Sequence, residues 1–221
     1  MNQEKEYVKE EIRKEFQLER MIVFSDAVFA IVITLMAIEI HVPGLQRFTS
    51  DEQLGKELLK LLPAFIAYTA SFIFIGVIWY EHLQVFSLLK DYDKGLVIRN
   101  LVMLFFIGLF PFSASLIARP GSGIFLNIII YFSIILLCKG AQLTLQHYIL
   151  VKRQHLRINT DIHDELIRFK KNRLAVIMFA VVFFLISITS FLIIDNYEKP
   201  LAWLWVLVIP VVRRVVHKRI K

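Results

Sequence analysis

The sequence predicts an all-α polytopic membrane protein with six transmembrane helices and both termini in the cytoplasm. Three observations carry that expectation. The 221 residues are 57% hydrophobic, include 19 Phe and have a mean hydropathy of +0.61, more apolar surface than one soluble core of this size can hide. Six apolar segments approach or exceed the ~20 residues needed to cross roughly 30 Å of hydrocarbon. Lys and Arg avoid those segments and gather in alternate loops.

The segments fall at 21–41, 61–86, 96–117, 124–150, 173–195 and 200–216, the last being the weakest. Residues 1–20 read as a cytoplasmic amphipathic segment, 21–216 as one six-helix transmembrane domain and 217–221 as a basic cytoplasmic tail. The first 20 residues mix Glu with Lys and no small-residue cleavage site follows, so the first span is expected to be retained. Ser50-Asp51-Glu52-Gln53 ahead of Leu54, Leu58, Leu59 and Leu62 is a capping-box pattern, expected to open a short helix that runs straight into the second span. Arg119-Pro120-Gly121-Ser122-Gly123 and Asp195-Asn196-Tyr197-Glu198-Lys199-Pro200 are turns by composition, and such short links imply antiparallel neighbours.

Counted by side, 20 basic residues fall with the termini and the second and fourth loops, against 5 in the other loops (Arg47, Lys56, Lys60, Arg119, Lys199). The positive-inside rule therefore puts both termini in the cytoplasm and Trp203 and Trp205 at the outer interface. This clustering accounts for the net charge of +7 without a nucleic-acid partner. The single cysteine, Cys138, lies in an apolar run and reads as packing, so no disulfide framework is expected. The expected location is the cell membrane, multi-pass, with the lipid bilayer as the surrounding partner.

The polar residues inside the spans point to function. At 1.5 Å per residue, Arg20 to His41 covers about 31 Å, so these two mark the water interfaces of the first helix and Asp26 lies about 9 Å inside. An ionisable group at that depth faces protein or water rather than lipid. The second span brings Trp79, Glu81 and His82 to the same inner end, and the third begins there with Arg99 and Asn100. We therefore expect a polar cluster joining the first three helices, in which Asp26 accepts hydrogen bonds and Ser25 satisfies local backbone groups. A purely structural clamp and a functional group are both compatible with Asp26.

Beyond it, Ala27, Ile31, Thr34 and Ile38 recur at spacings of four, three and four along one helix face, flanked by Ala30 and Leu35. By pattern alone this stripe suits packing against another helix. It also suits a narrow path with a dewetting constriction and one hydroxyl layer.

Other polar groups carry less. No Gly-rich phosphate loop, HExxH helix or Cys/His metal spacing is present, so neither an enzyme nor a bound cofactor is expected. His147, His155, His163, Asp161 and Asp164 do not share a helical face, and their segment reads as a solvated connector. Glu39 and His41 suit interface anchors, and Lys139 in the fourth span is expected to snorkel or pair.

The stretch Arg20 to Ile40, read as R-x-x-x-F-S-D-A-V-F-A-I-x-I-T-L-x-x-x-E-I, resembles the first-helix signature of the transmembrane protein 175 family, lysosomal-type potassium channels and their prokaryotic relatives. Trp79, His82, Asn100 and Leu109-Phe110-Pro111-Phe112 extend the likeness. The resemblance implies a potassium-permeable cation channel without a TVGYG-type pore loop, which this sequence lacks. A single six-helix unit resembles the prokaryotic form, a homotetramer around the first helices. On that analogy residues 21–216 are the channel domain, Ile31 falls at the constriction and Thr34 at the hydroxyl layer one turn outward. Ala27, Leu35 and Ile38 complete the pore lining. Arg20, Phe24, Ser25, Asp26, Trp79, His82 and Asn100 match the network that ties the pore helix to the next two. Ile38 stands where animal members carry a polar amide, which implies modest discrimination of potassium from sodium among monovalent cations. The competing reading is a proton-coupled secondary transporter using Asp26, His82 and Glu39.

Overall fold

The computed structural model describes residues 2–40, 50–118, 124–158 and 161–193. The weakest expected span (200–216), Trp203, Trp205, the basic tail, His41, Arg47 and the two turns at 119–123 and 195–200 lie outside the described residues. Among the described residues, five helical segments are long and apolar enough to cross a membrane: Glu11–Ile38, Leu62–Phe86, Lys94–Ile117, Phe125–Lys152 and His163–Thr189.

Helix α1 (Asn2–Ile38) runs for 37 residues without interruption, so no break separates the amphipathic segment from the first span. The first glycine or proline in the chain is Pro43, which removes the usual causes of a kink. Leu18, Ser25, Phe29, Val32 and Met36 are buried along one face, at spacings of seven, four, three and four. That face packs against the third, fourth and fifth helices.

Helix α2 (Asp51–Lys60) is capped by Ser50, whose hydroxyl accepts from the Gln53 N–H at 3.4 Å. It does not run straight into the second span as the sequence suggested. It stops at Leu61, and α3 (Leu62–Phe86) begins with Pro63 in its first turn. Pro63 has no N–H for the preceding turn, which breaks the ladder there.

Helix α4 (Lys94–Gly108) is capped by Asp93, which accepts from the Leu96 N–H at 2.7 Å. It breaks at Leu109, ahead of α5 (Phe110–Ala118) with Pro111 in its first turn, and the two halves together make the third span. Helix α6 (Ile124–His147) continues into a π-helical turn, Tyr148–Lys152, followed by a 3-10 turn, Gln154–Leu156, and then α7 (His163–Ile193).

The core is shared by α1, α3, α4, α5 and α6. Phe29, Ile75, Ile78, Met103, Ile107, Phe110 and Cys138 are all buried in it. A smaller cluster of Tyr131, Phe132 and Phe183 joins α6 to α7.

The segment after α6 is a correction to the sequence reading. Its histidines are exposed, but Tyr148, Ile149, Leu150 and Leu156 are buried in the core. Backbone bonds from Lys90 N to Leu156 O (2.9 Å) and from Ile158 N to Leu88 O (2.8 Å) stitch it to the α3–α4 loop. It is therefore a packed latch rather than a solvated connector: Tyr148, Ile149 and Leu150 at the end of the expected fourth span turn into the core, and Leu156 beyond it follows them.

Candidate functional site

Ser25 and Asp26 are adjacent in sequence, so on a helix they point about 100° apart and reach different neighbours. The Ser25 hydroxyl donates to the Met21 carbonyl one turn back (2.8 Å) and accepts from the Asn100 Nδ2 on α4 (2.8 Å). Having spent its proton on the backbone, Ser25 can only accept from Asn100, which turns the Asn100 carbonyl toward His82 on α3. His82 Nε2 lies 3.0 Å from that oxygen and must be the protonated nitrogen. The imidazole stacks on Phe86 (ring centroids 3.8 Å apart) and meets Phe29 of α1 at 5.8 Å. Its Nδ1 is buried without a hydrogen-bond partner.

Asp26 accepts instead from the indole Nε1 of Trp79 at 2.8 Å. The residues expected in one cluster thus fall into a buried chain, Ser25–Asn100–His82, and a more exposed pair, Asp26–Trp79. Arg20 and Phe24 are on the exposed side of α1, where the Arg20 guanidinium sits over the Phe16 ring, 5.9 Å from its centroid.

Opposite the anchored face, Ala27, Ile31, Thr34, Leu35 and Ile38 are all exposed, Ile31 at 56% and Ile38 at 68%. The Thr34 hydroxyl donates back to the Ala30 and Ile31 carbonyls (3.1 and 2.9 Å), so only its lone pairs face outward. Glu39 is 13 residues beyond Asp26, about 20 Å along the same helix, and the three groups invoked for a proton-coupled transporter do not converge.

Two polar assemblies were not assembled from sequence. Lys139 on α6 pairs with Glu81 on α3 at 3.1 Å and donates to the Gln142 Oε1 at 3.0 Å. Gln142 Nε2 in turn donates to the Ile78 carbonyl at 3.2 Å. The only signal in the sequence was one lysine and one glutamate, each inside an apolar run, with nothing to say which faces met.

The second assembly holds the latch. Tyr148 donates to Asp93 Oδ2 (2.6 Å), Arg153 lies 3.5 Å from the same oxygen, and Arg99 stacks on the Tyr148 ring at 4.0 Å. Gly95 permits this approach, because a Cβ there would collide with the Tyr148 hydroxyl and stand 2.8 Å from its Cζ. Burial pushes the Asp93 carboxyl up, but the Tyr148 hydroxyl, the Leu96 N–H and the Arg153 and His155 charges together hold it below its ordinary value.

Among the described residues no group of His, Cys, Asp or Glu is placed to hold a metal ion. The family model described as endosomal/lysosomal potassium channel TMEM175 matches residues 20–111, the stretch that contains the whole Ser25–Asn100–His82 chain and the Asp26–Trp79 pair. A potassium channel of Chryseobacterium sp. is 32% identical over 134 residues, 55% of this chain and 66% of that relative. The chain belongs to the TMEM175 family. This is a family of ion channels and not of enzymes.

Other members of TMEM175 match over shorter stretches. A potassium channel of Streptomyces collinus is 36% identical over 100 residues, 45% of this chain and 47% of the relative. The aligned stretch thus spans about half to just under two thirds of these two curated relatives. The human member, named an endosomal/lysosomal proton channel, is 33% identical over 100 residues, 42% of this chain and 19% of that protein. The crystal structure of a lysosomal potassium-selective TMEM175 homolog from Chamaesiphon minutus aligns with 93% of this chain and 98% of that one. Its TM-score is 0.68 at 26% identity.

Proposed function

We propose that this chain is a potassium-preferring cation channel of the cell membrane, assembled as a homotetramer in which four copies of α1 line the conduction path. Both termini face the cytoplasm in this reading. The observation that carries it is the division of α1 into two faces. One face is fixed to α3 and α4 by the Ser25–Asn100–His82 chain and the Asp26–Trp79 pair, while the opposite face, apolar apart from Thr34, is left exposed by the described residues of the chain. Four such faces around one axis make a lining. The ring at Ile31, with Leu35 beside it, is the constriction that must widen to wet, and Thr34 supplies four outward lone-pair donors for a partly dehydrated cation. Ala27 and Ile38 line the path on either side. The names of the bacterial relatives and of the solved homolog support potassium as the permeant ion.

The test is flux from reconstituted liposomes under potassium and sodium gradients. Ile31→Asn should raise basal cation flux several-fold, and potassium flux should exceed sodium flux modestly in the parent. Unchanged flux from an intact Ile31→Asn assembly would remove Ile31 from the constriction, and saturable, proton-dependent uptake would replace the channel by a carrier.

A further inference from the structure

The exposed stripe of α1 does not stop at the membrane. With Arg20 at the inner interface, the preceding turns of α1 project beyond the bilayer as helix, and Ile12 and Phe16 are 61% and 55% exposed there. They lie on the side away from Leu18, which is buried, and from Lys14, whose ammonium reaches Asp91 of the α3–α4 loop at 3.7 Å. At 100° per residue the line through Ile12 and Phe16 continues through Val23 and Ala27 into the stripe at Ile31 and Thr34. Large apolar side chains facing water on a projecting helix call for a cover, and the described residues of this chain do not supply it.

The charges around them specify which cover fits. In a heptad register with Ile12 at d and Phe16 at a, Val23 takes the next a position, Arg13 and Arg20 take e, and Glu15 takes g. In a parallel bundle a g residue faces the e residue five positions further on in the neighbouring helix, and Glu15 and Arg20 have that spacing with opposite charge. Between Ile12 and Val23 the seam holds one polar residue, Glu19 at d, the kind of side chain that lowers stability while fixing register; toward the N-terminus the same register places Lys9 at a and Lys5 at d.

We infer that the projecting ends of α1 from neighbouring copies pack in parallel through Ile12 and Phe16, flanked by Glu15–Arg20 ion pairs, and form a collar on the cytoplasmic side of the membrane spans. The inference rests on the tetrameric reading above. The collar holds the four pore helices in one register from outside the bilayer, where the hydrophobic effect operates at full strength.

Cross-linking of the full chain in liposomes tests it, with single cysteines placed in a Cys138→Ser background and the assembly mass measured in parallel. Ile12→Cys and Phe16→Cys should give covalent dimers on oxidation, whereas Lys14→Cys, on the far side of the helix, should remain monomeric on a denaturing gel. Adding Glu15→Arg should lower the Ile12→Cys yield several-fold, and combining it with Arg20→Glu should restore it. A conducting tetramer in which neither seam cysteine cross-links, or in which Lys14→Cys cross-links as well, overturns the collar and leaves the pore reading standing. An assembly mass other than four copies overturns both.

Discussion

The Trp79 indole donates to the Asp26 carboxylate at 2.8 Å, tying α1 to α3 one residue away from the buried Ser25–Asn100 bond. Two adjacent residues therefore secure α1 to two different helices, and neither of them is on the exposed stripe. The division explains how a carboxylate within the first span can serve architecture and leave the opposite face free for the conduction path proposed above.

Removing that carboxylate should accordingly damage assembly before selectivity. A hydrogen bond to a charged group contributes about 1.5–3 kcal/mol, less where it is partly exposed. Asp26→Ala is expected to lower the thermal stability of the purified assembly by several degrees while leaving the potassium-to-sodium flux ratio within about twofold of the parent. A stable assembly with inverted ion preference would show that Asp26 acts on the ions directly.

The Glu81–Lys139 pair leads to a different pattern. Both side chains are largely buried, at 20% and 17% exposure, and Gln142 holds the lysine as well. Breaking a buried pair leaves one unmatched charge and costs up to about 3–5 kcal/mol, whereas replacing both partners by apolar groups is close to neutral. Glu81→Met and Lys139→Leu should each reduce folded yield, and the double variant should recover most of it. Equal losses from the singles and the double, measured by fluorescence-detected size exclusion, would mean that the pair itself matters little.

Asp93 gives the protein an acid-sensitive latch. Its folded carboxyl titrates below the ordinary value of 3.8, so the unfolded chain takes up this proton first as pH falls. The stabilisation is fully present above about pH 4 and disappears as pH drops through the lowered folded value. Asp93→Asn retains an oxygen for capping α4 but loses the charge facing Arg153. The difference in melting temperature between parent and Asp93→Asn should be constant from pH 7 to 5 and shrink below pH 4. A difference that persists unchanged at pH 3 would assign it to the cap alone.

The spans and the polar positions were legible because their signals are local. Twenty-odd apolar residues state a membrane helix by length, and shared depth along α1, α3 and α4 placed Ser25, Asp26, His82 and Asn100 near one another without knowledge of packing. Which atoms met was not legible. The choice between Asp26 and Ser25 as the partner of Asn100 depends on a rotation of about 100°, finer than any depth argument resolves. The break at Leu61 is readable in principle from Pro63, since the capping-box pattern marks only where the short helix begins. The latch was missed for a different reason: Tyr148 and Leu156 find their partners more than 50 residues back in the chain, and the π-helical turn that presents Tyr148 has no sequence signature.

Because the anchored and exposed sides of α1 lie on one continuous rod, a single added or deleted residue between Asp26 and Ile31 would rotate everything beyond it by about 100°. Val32 and Met36 would swing out of the core, as would Phe29 where the change precedes it, and their neighbours would swing in. A substitution on the exposed stripe leaves the buried face in register, whereas a change in the length of this stretch does not, so the chemistry of the stripe is freer to vary than the spacing between its two ends.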